Sequence, residues 1–392
     1  MRPVIGMSLT SQLHHGALSA RCADRFPGVE GLIDQVHAAA RRRLPVRPIG
    51  EVNSDHWTQI DGAFRQRLAF FASRESPYAA LLGAARVGLP GDSMIDTMVG
   101  LWPTQRDMPP RYREQASQLR PIPTGWHNLA PSACLRPWEI PAGEPGSADH
   151  VVEVFTRWLV RYLVQHVPPG SVAATRAAEQ NLARACWVLA GYESAYHGSG
   201  RLPAELAIEH QHLRGGRDKS KEHEGALAGR LLDAAPRAVV GELVALVDRL
   251  SSSGVLEILR TLADNPDPGQ PLGYAPPTVA SQWSGGDLVV GDTLIGIKTI
   301  VNAQDRAQIA RWLFQILTAW LDTPHRYRIR NVGLLLARHG VLLSWPLKVF
   351  AKILVDHRDR VSSVRREFLE YAYALRDAEG AVPLTVGGDH GS

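Results

Sequence analysis

The chain has only three cysteines in 392 residues, Cys22, Cys134 and Cys186, and they lie far apart. Without a Cys-x-x-Cys pair, neither a disulfide framework nor a cysteine zinc site is expected. No run of about 18 uninterrupted apolar residues occurs, which excludes a transmembrane helix and a membrane partner of that kind. The N-terminal stretch MRPVIGMSLTSQLHHGALSARC lacks the basic, apolar, small-residue order of a signal peptide, so a cytoplasmic location is expected. A Gly-x-x-x-x-Gly-Lys-[Ser/Thr] loop is absent, which removes the ATPase signature, and so is a Gly-x-Ser-x-Gly elbow. Lysine is scarce: of 43 basic residues only Lys219, Lys221, Lys298, Lys348 and Lys352 are lysine. The codon bias of a GC-rich genome is the bland reading of that scarcity, yet it makes each lysine worth inspecting.

What is present is ordinary globular material, 45% apolar and 21% charged. The length suits two or three domains, or one with a large insertion. The net charge of +4 is uneven, because fourteen basic and ten acidic residues fall between Gly285 and Gly380 while the remainder cancels. A polyanionic partner for the last quarter is the functional reading of that excess, and chance is the bland one.

Patterning divides the chain into regions 1–147, 148–264, 265–284, 285–380 and 381–392. The first is helical and Pro-rich. GVEGLIDQVHAAARRR, from Gly28 to Arg43, reads as a helix ended by Leu44-Pro45. A second helix is expected over Asp55–Ser73, with Ile60, Phe64, Leu68 and Phe71 on its apolar stripe and Arg65, Gln66 and Arg67 off it. Short helices and irregular connections suit the prolines of 76–150, where Trp102, Trp126 and Trp138 are expected to plug apolar clusters.

The middle, 148–264, reads as helices, the first capped by Ser147 and stopped at Pro168-Pro169. The charged LRGGRDKSKEHEG segment reads as a loop. Residues 265–284 read as a Pro-rich linker and 381–392 as a tail. In between, DLVV and TLIGIKTI flank Gly291-Asp292, a hairpin with a type II′ turn. A helix follows from Asn302, its expected cap, to Leu321. VGLLLA and VLLSW form a second hairpin, and a long helix from Pro346 to about Asp377 closes the pattern. Strand, strand, helix, strand, strand, helix describes an α/β unit.

The first hairpin carries the chemistry. With a two-residue turn, Val290 faces Thr293, Val289 faces Leu294, Leu288 faces Ile295 and Asp287 faces Gly296. Opposed residues share a face about 5 Å apart, and Lys298 points the same way. Two carboxylates and a lysine at such a spot can hold Mg²⁺ and stabilise a pentavalent phosphate.

These residues resemble the PD-(D/E)xK nuclease superfamily, in its RecB-like and Cas4-like branch. Asp287 matches the first acid, Lys298 the lysine and Thr299 the threonine common after it. Gln315 in WLFQILTAW matches the glutamine of the following helix, and VGLLLA the next strand. DGAFRQRLAFF, with Gly62 and Gln66, resembles the helix that precedes the strands. The chain departs at the second acid, which is Gly296, and at the helix tyrosine, where Ala319 and Trp320 stand instead.

The resemblance covers about 285–345. It implies a restriction-endonuclease-like mixed sheet flanked by helices, α/β (α+β) in class, beside a large helical region. It also implies a metal-dependent DNA nuclease of phage defence or DNA repair, with Asp287, Lys298 and Gln315 catalytic, Asp287 on the metal, and Mg²⁺ or Mn²⁺ as cofactor if the site is active. The alternatives are an inactive nuclease-fold scaffold and a protein-interaction subunit that works through the helical region. An acid from elsewhere can replace the one missing at 296, and Glu193, Asp305 and Glu257 are candidates.

For a DNA or RNA partner, Arg326, Arg328 and Arg330 share one face if extended and suit phosphates; a solvated strand edge is the plain reading. His210, His212 and His223, with Glu209, Glu222 and Glu224, read as a mixed-charge surface rather than a metal site. Glu193 and His197 read as a surface pair at i, i+4.

Overall fold

The computed structural model describes residues 12–13, 16–50, 52–73, 76–87, 98, 101–102, 149–197, 201–215, 224–264, 271–275, 278–280, 284–322 and 327–378. Cys134, Trp126, Trp138, Ser147, His223, Arg326, most of the LRGGRDKSKEHEG segment and the tail lie outside them.

Helices α1 (Ala17–Arg25), α2 (Val29–Arg41), α3 (Ser54–Ala72) and α4 (Tyr78–Arg86) come first. Then follow α5 (Asp149–His166), α6 (Arg176–His197), α7 (Ala204–Gly215), α8 (Glu224–Asp233), α9 (Arg237–Ser252) and α10 (Val255–Leu262). The expected helical middle is therefore present. Among the described residues no helix is long and apolar enough to cross a membrane.

The expected hairpin forms β4 (Leu288–Val290) and β5 (Thr293–Lys298), in the register deduced from a two-residue turn. Gly291 has φ +59°, while Asp292 is not at positive φ, which fits a turn with glycine first. A side chain at 291 would also strike the carbonyl oxygen of Leu262. Helix α11 (Arg306–Ile316) and a 3₁₀ extension (Leu317–Leu321) lead to β6 (Asn331–Leu336), which pairs parallel to β5. β7 (Val341–Pro346) returns antiparallel, so both hairpins share one sheet. The fold class is mixed α+β.

Three sequence expectations change. Residues 265–284 are not a plain linker: β1 (Gly273–Tyr274) joins the edge of the sheet, giving the order β1-β4-β5-β6-β7, and β2 (Thr278–Ala280) pairs with β3 (Ser284–Gly285) in a separate ribbon. The cap of α11 is Asp305, whose side chain accepts from Gln308 N, rather than Asn302. The long C-terminal helix is two, α12 (Leu347–Leu354) and α13 (Val361–Ala378). Residues Ala17–Arg25, which show no clear pattern, form a helix because Leu18 and Cys22 plug the core beside Phe368.

The sheet lies between two helical layers because its strands alternate apolar side chains. Leu288, Val290, Ile295, Ile297 and Leu335 enter a core with α3 to α10. Leu294, Val332, Leu334 and Leu336 face α1, α2, α11, α12 and α13. Trp312 and Ile316 of α11 and Trp320 of the 3₁₀ extension all belong to that second core, where Trp320 packs on Phe26 and Phe368 at 6.0 and 5.4 Å. Trp102 stacks on Phe70 at 5.7 Å.

Helix α3 is buried on more than its apolar stripe, since it is enclosed by α6, α9 and the sheet. Gln66 and Arg67 are buried instead of solvated. Arg67 is matched by Glu179, with two bonds of 2.6 and 3.0 Å.

Candidate functional site

Asp287 and Lys298 meet where β4 begins and β5 ends. Asp287 Oδ2 accepts from the Ile297 amide at 2.7 Å, which ties it across the hairpin at the level of Gly296. Lys298 Nζ donates to Gln315 Oε1 at 2.8 Å, so these three residues share one neighbourhood. At Gly296 an added Cβ would lie 3.8 Å from Leu334 Cδ1 and 4.0 Å from Ile316 Cγ1, which is ordinary contact. Space for a side chain exists there, but no carboxylate does.

The second acid at this place is Asp61, on α3. Asp61 Oδ1 accepts from Thr299 Oγ1 at 2.8 Å, and Asp61 Oδ2 pairs with Arg65 Nη2 at 2.7 Å. Arg65 Nη1 in turn reaches Asp287 Oδ1 at 3.2 Å. One guanidinium thus bridges the two carboxylates, and each of their four oxygens already has a partner. The Arg65 side chain keeps 42% of its exposure, while its Nε is buried without a partner. Next to it, Gln66 Nε2 donates to Glu193 Oε2 at 2.7 Å.

The electrostatics follow from these contacts. Burial disfavours the Arg65 charge, but Asp287, Asp61 and Glu193 outweigh it and hold the Arg65 pKa above the usual arginine value. Burial lowers the Lys298 pKa below the usual lysine value; Asp287 and Asp61 oppose that shift, and Arg65 adds to it.

Of the expected replacement acids, Glu193 lies in the cluster but bonds Gln66 rather than Asp287. Asp305 caps α11 and Glu257 pairs with Arg260. Glu193 is engaged across helices with Gln66, while the His197 side chain is not among those described. His210 is buried and meets the Tyr192 hydroxyl at 2.8 Å, whereas His212 is exposed near Glu209. Gly62 serves packing, since a Cβ there would lie 3.2 Å from the Ala190 methyl.

Asp61 and Arg65 were missed by sequence reasoning. Their signal was an i, i+4 acid–arginine pair, each member one position after an apolar-stripe residue, Ile60 and Phe64.

The arginine stripe is not as expected. Arg328 has φ +50° and β6 begins only at Asn331, so the backbone is not extended at Arg328; Arg326 lies outside the described residues. Arg328 and Arg330 are exposed, but they sit where Asn331 pairs with Thr293, while Lys298 pairs with Leu336. Five residues of strand, about 16 Å, separate the two ends.

A buried network supports the centre from behind. Arg338, fully buried, donates through Nε to the Thr299 carbonyl at 2.6 Å and pairs with Glu242. Glu242 also meets His56 Nε2 at 3.0 Å. The carbonyl next to Lys298 is thereby fixed to α3 and α9.

The residues fit a resident divalent cation poorly. Among the described residues no group of three or more His, Cys, Asp or Glu side chains converges, and both carboxylates here are already ion-paired with Arg65. A hard cation wants at least six oxygens. Comparison with known proteins finds no matching family model, no matching curated protein and no matching solved structure.

Proposed function

We propose that the chain is a nucleic-acid-binding protein built on a PD-(D/E)xK, restriction-endonuclease-like core whose centre is closed by Arg65, so that it holds DNA or RNA without cutting it. The order of hairpin, helix and parallel strand, with Asp287, Lys298 and Gln315 together, supports the core assignment. The observation that carries the function is the guanidinium set between Asp61 and Asp287, at the place such an enzyme needs a metal ion. A cation already present repels a second one, and Lys298 adds to that repulsion.

A second reading, a Mg²⁺- or Mn²⁺-dependent nuclease of phage defence or DNA repair, is favoured by Asp61 alone. That residue brings the acid missing at 296, and the exposed part of Arg65 leaves it room to turn away. A third reading, an interaction subunit acting through the helical layer, has no salt-dependent affinity for nucleic acid.

The test is incubation of the natural chain, Asp287→Ala and Lys298→Ala with single- and double-stranded DNA and with RNA, with Mg²⁺ and then Mn²⁺, alongside binding at several salt concentrations. Salt-sensitive binding without cleavage is expected. Cleavage that either alanine abolishes would establish the nuclease reading instead.

A further inference from the structure

Resting on the nucleic-acid reading, we infer that the phosphate backbone is gripped by the last residue of α2 and the strap that follows it, Arg41-Arg42-Arg43-Leu44-Pro45-Val46-Arg47, and not by Arg328 and Arg330. The strap lies at the end of the sheet that carries Lys298. Val46 N donates to the Arg338 carbonyl at 2.9 Å, and Arg338 Nη1 donates back to the Val46 carbonyl at 3.0 Å. The same guanidinium holds the Thr299 carbonyl, so the strap is anchored one residue from Lys298. Arg43 Nη1 donates to the Gly340 carbonyl at 3.2 Å, and the Arg249 side chain also lies against Gly340.

Four guanidinium groups are thus presented on a fixed backbone. Arg41, Arg42, Arg43 and Arg47 are exposed, and among the described residues Arg41, Arg42 and Arg47 make no ion pair. Exposed Arg306, by contrast, pairs with Glu30 and Asp34. The helix dipole explains Arg41 in the last turn of α2, but Arg43 and Arg47 lie beyond the helix. Leu44 stands among them with 82% of its surface exposed. An apolar side chain flanked by arginines is what a protein inserts between base steps while its cations hold phosphates. An anionic membrane surface is the competing partner, but it is met by an amphipathic helix with a continuous apolar face, and residues 42–47 are not helical.

The experiment is fluorescence anisotropy with labelled single- and double-stranded oligonucleotides over a salt series, on the full chain. Arg41→Ala/Arg42→Ala/Arg47→Ala is expected to weaken binding about tenfold or more and to reduce the salt slope by about two to three. Arg328→Ala/Arg330→Ala should stay within about twofold, and Leu44→Ser should weaken binding at unchanged slope. An unchanged thermal midpoint shows that each variant is folded. A triple variant that binds like the natural chain overturns the strap while leaving nucleic-acid binding intact. A natural chain that binds neither DNA nor RNA removes both, and strap-dependent retention on phosphatidylserine vesicles in that case assigns the strap to membranes.

Discussion

Two arginines two positions apart on α3 do different work. Arg67 is enclosed with Glu179, which also accepts the Ala173 amide at 3.1 Å. Burial alone would raise the Glu179 pKa, but Arg67 and that amide hold it below the usual carboxylate value. A depressed acid contributes stability above its unfolded pKa and loses it as pH falls through the folded one. Glu179→Gln is therefore expected to cost about 3–5 kcal/mol near neutral pH, because it leaves Arg67 charged and unmatched. The gap to the natural chain should narrow in acid, below the ordinary carboxylate range, as urea midpoints across a pH series will show. A gap that is constant or grows in acid would contradict the pairing. Arg65, by contrast, binds its two carboxylates near solvent and closes a site rather than a core. Asp287 and Lys298 could be read from the sequence because a two-residue turn fixes which residues oppose. Asp61 could not, because it meets Thr299 across 238 residues and nothing in its own helix names that partner.

At the scale of elements, local signals worked where the cause was local. Apolar periodicity located α2, α3 and the helical middle, and Gly291-Asp292 set the register of β4 and β5. The start of α11 shows the limit: Asn302 and Asp305 both suit a cap, and the side chain that reaches an amide is Asp305, at 3.0 Å. Asp305→Ala should cost about 1 kcal/mol and Asn302→Ala close to nothing, measured by thermal or denaturant unfolding; the reverse order would restore the sequence expectation. The break between α12 and α13 had only a weak local signal, Asp356, whose side chain accepts the Arg358 amide at 2.8 Å. Gly28 N bonds the Leu354 carbonyl at 3.1 Å, and Arg25 pairs with both Asp359 and Glu367. The junction of α1 and α2 therefore captures the chain where one helix would otherwise continue. The pairing of Arg328 with Arg330 on one face fails for a similar reason, since alternation is meaningful only if the backbone is extended, and Arg328 is not.

Across the whole molecule, one five-stranded sheet separates two helical layers, and its two ends carry different chemistry. The end with Lys298 gathers Asp61, Arg65, Asp287 and the arginine strap, and a buried chain of contacts through Arg338 and Glu242 ties it to α9. The claim that joins these parts is that Arg65 is the resident cation of the centre. It is tested most directly by titrating Mn²⁺ into the natural chain, Arg65→Gln, and Arg65→Gln combined with Asp61→Asn or with Gly296→Asp, and following free Mn²⁺ by electron paramagnetic resonance. The natural chain should bind weakly and Arg65→Gln at least about tenfold tighter, since two carboxylates lose their competing charge. Asp61→Asn should undo that gain, and Gly296→Asp should add to it. A natural chain that takes up one Mn²⁺ as tightly as Arg65→Gln does would show that the guanidinium does not hold the metal's place.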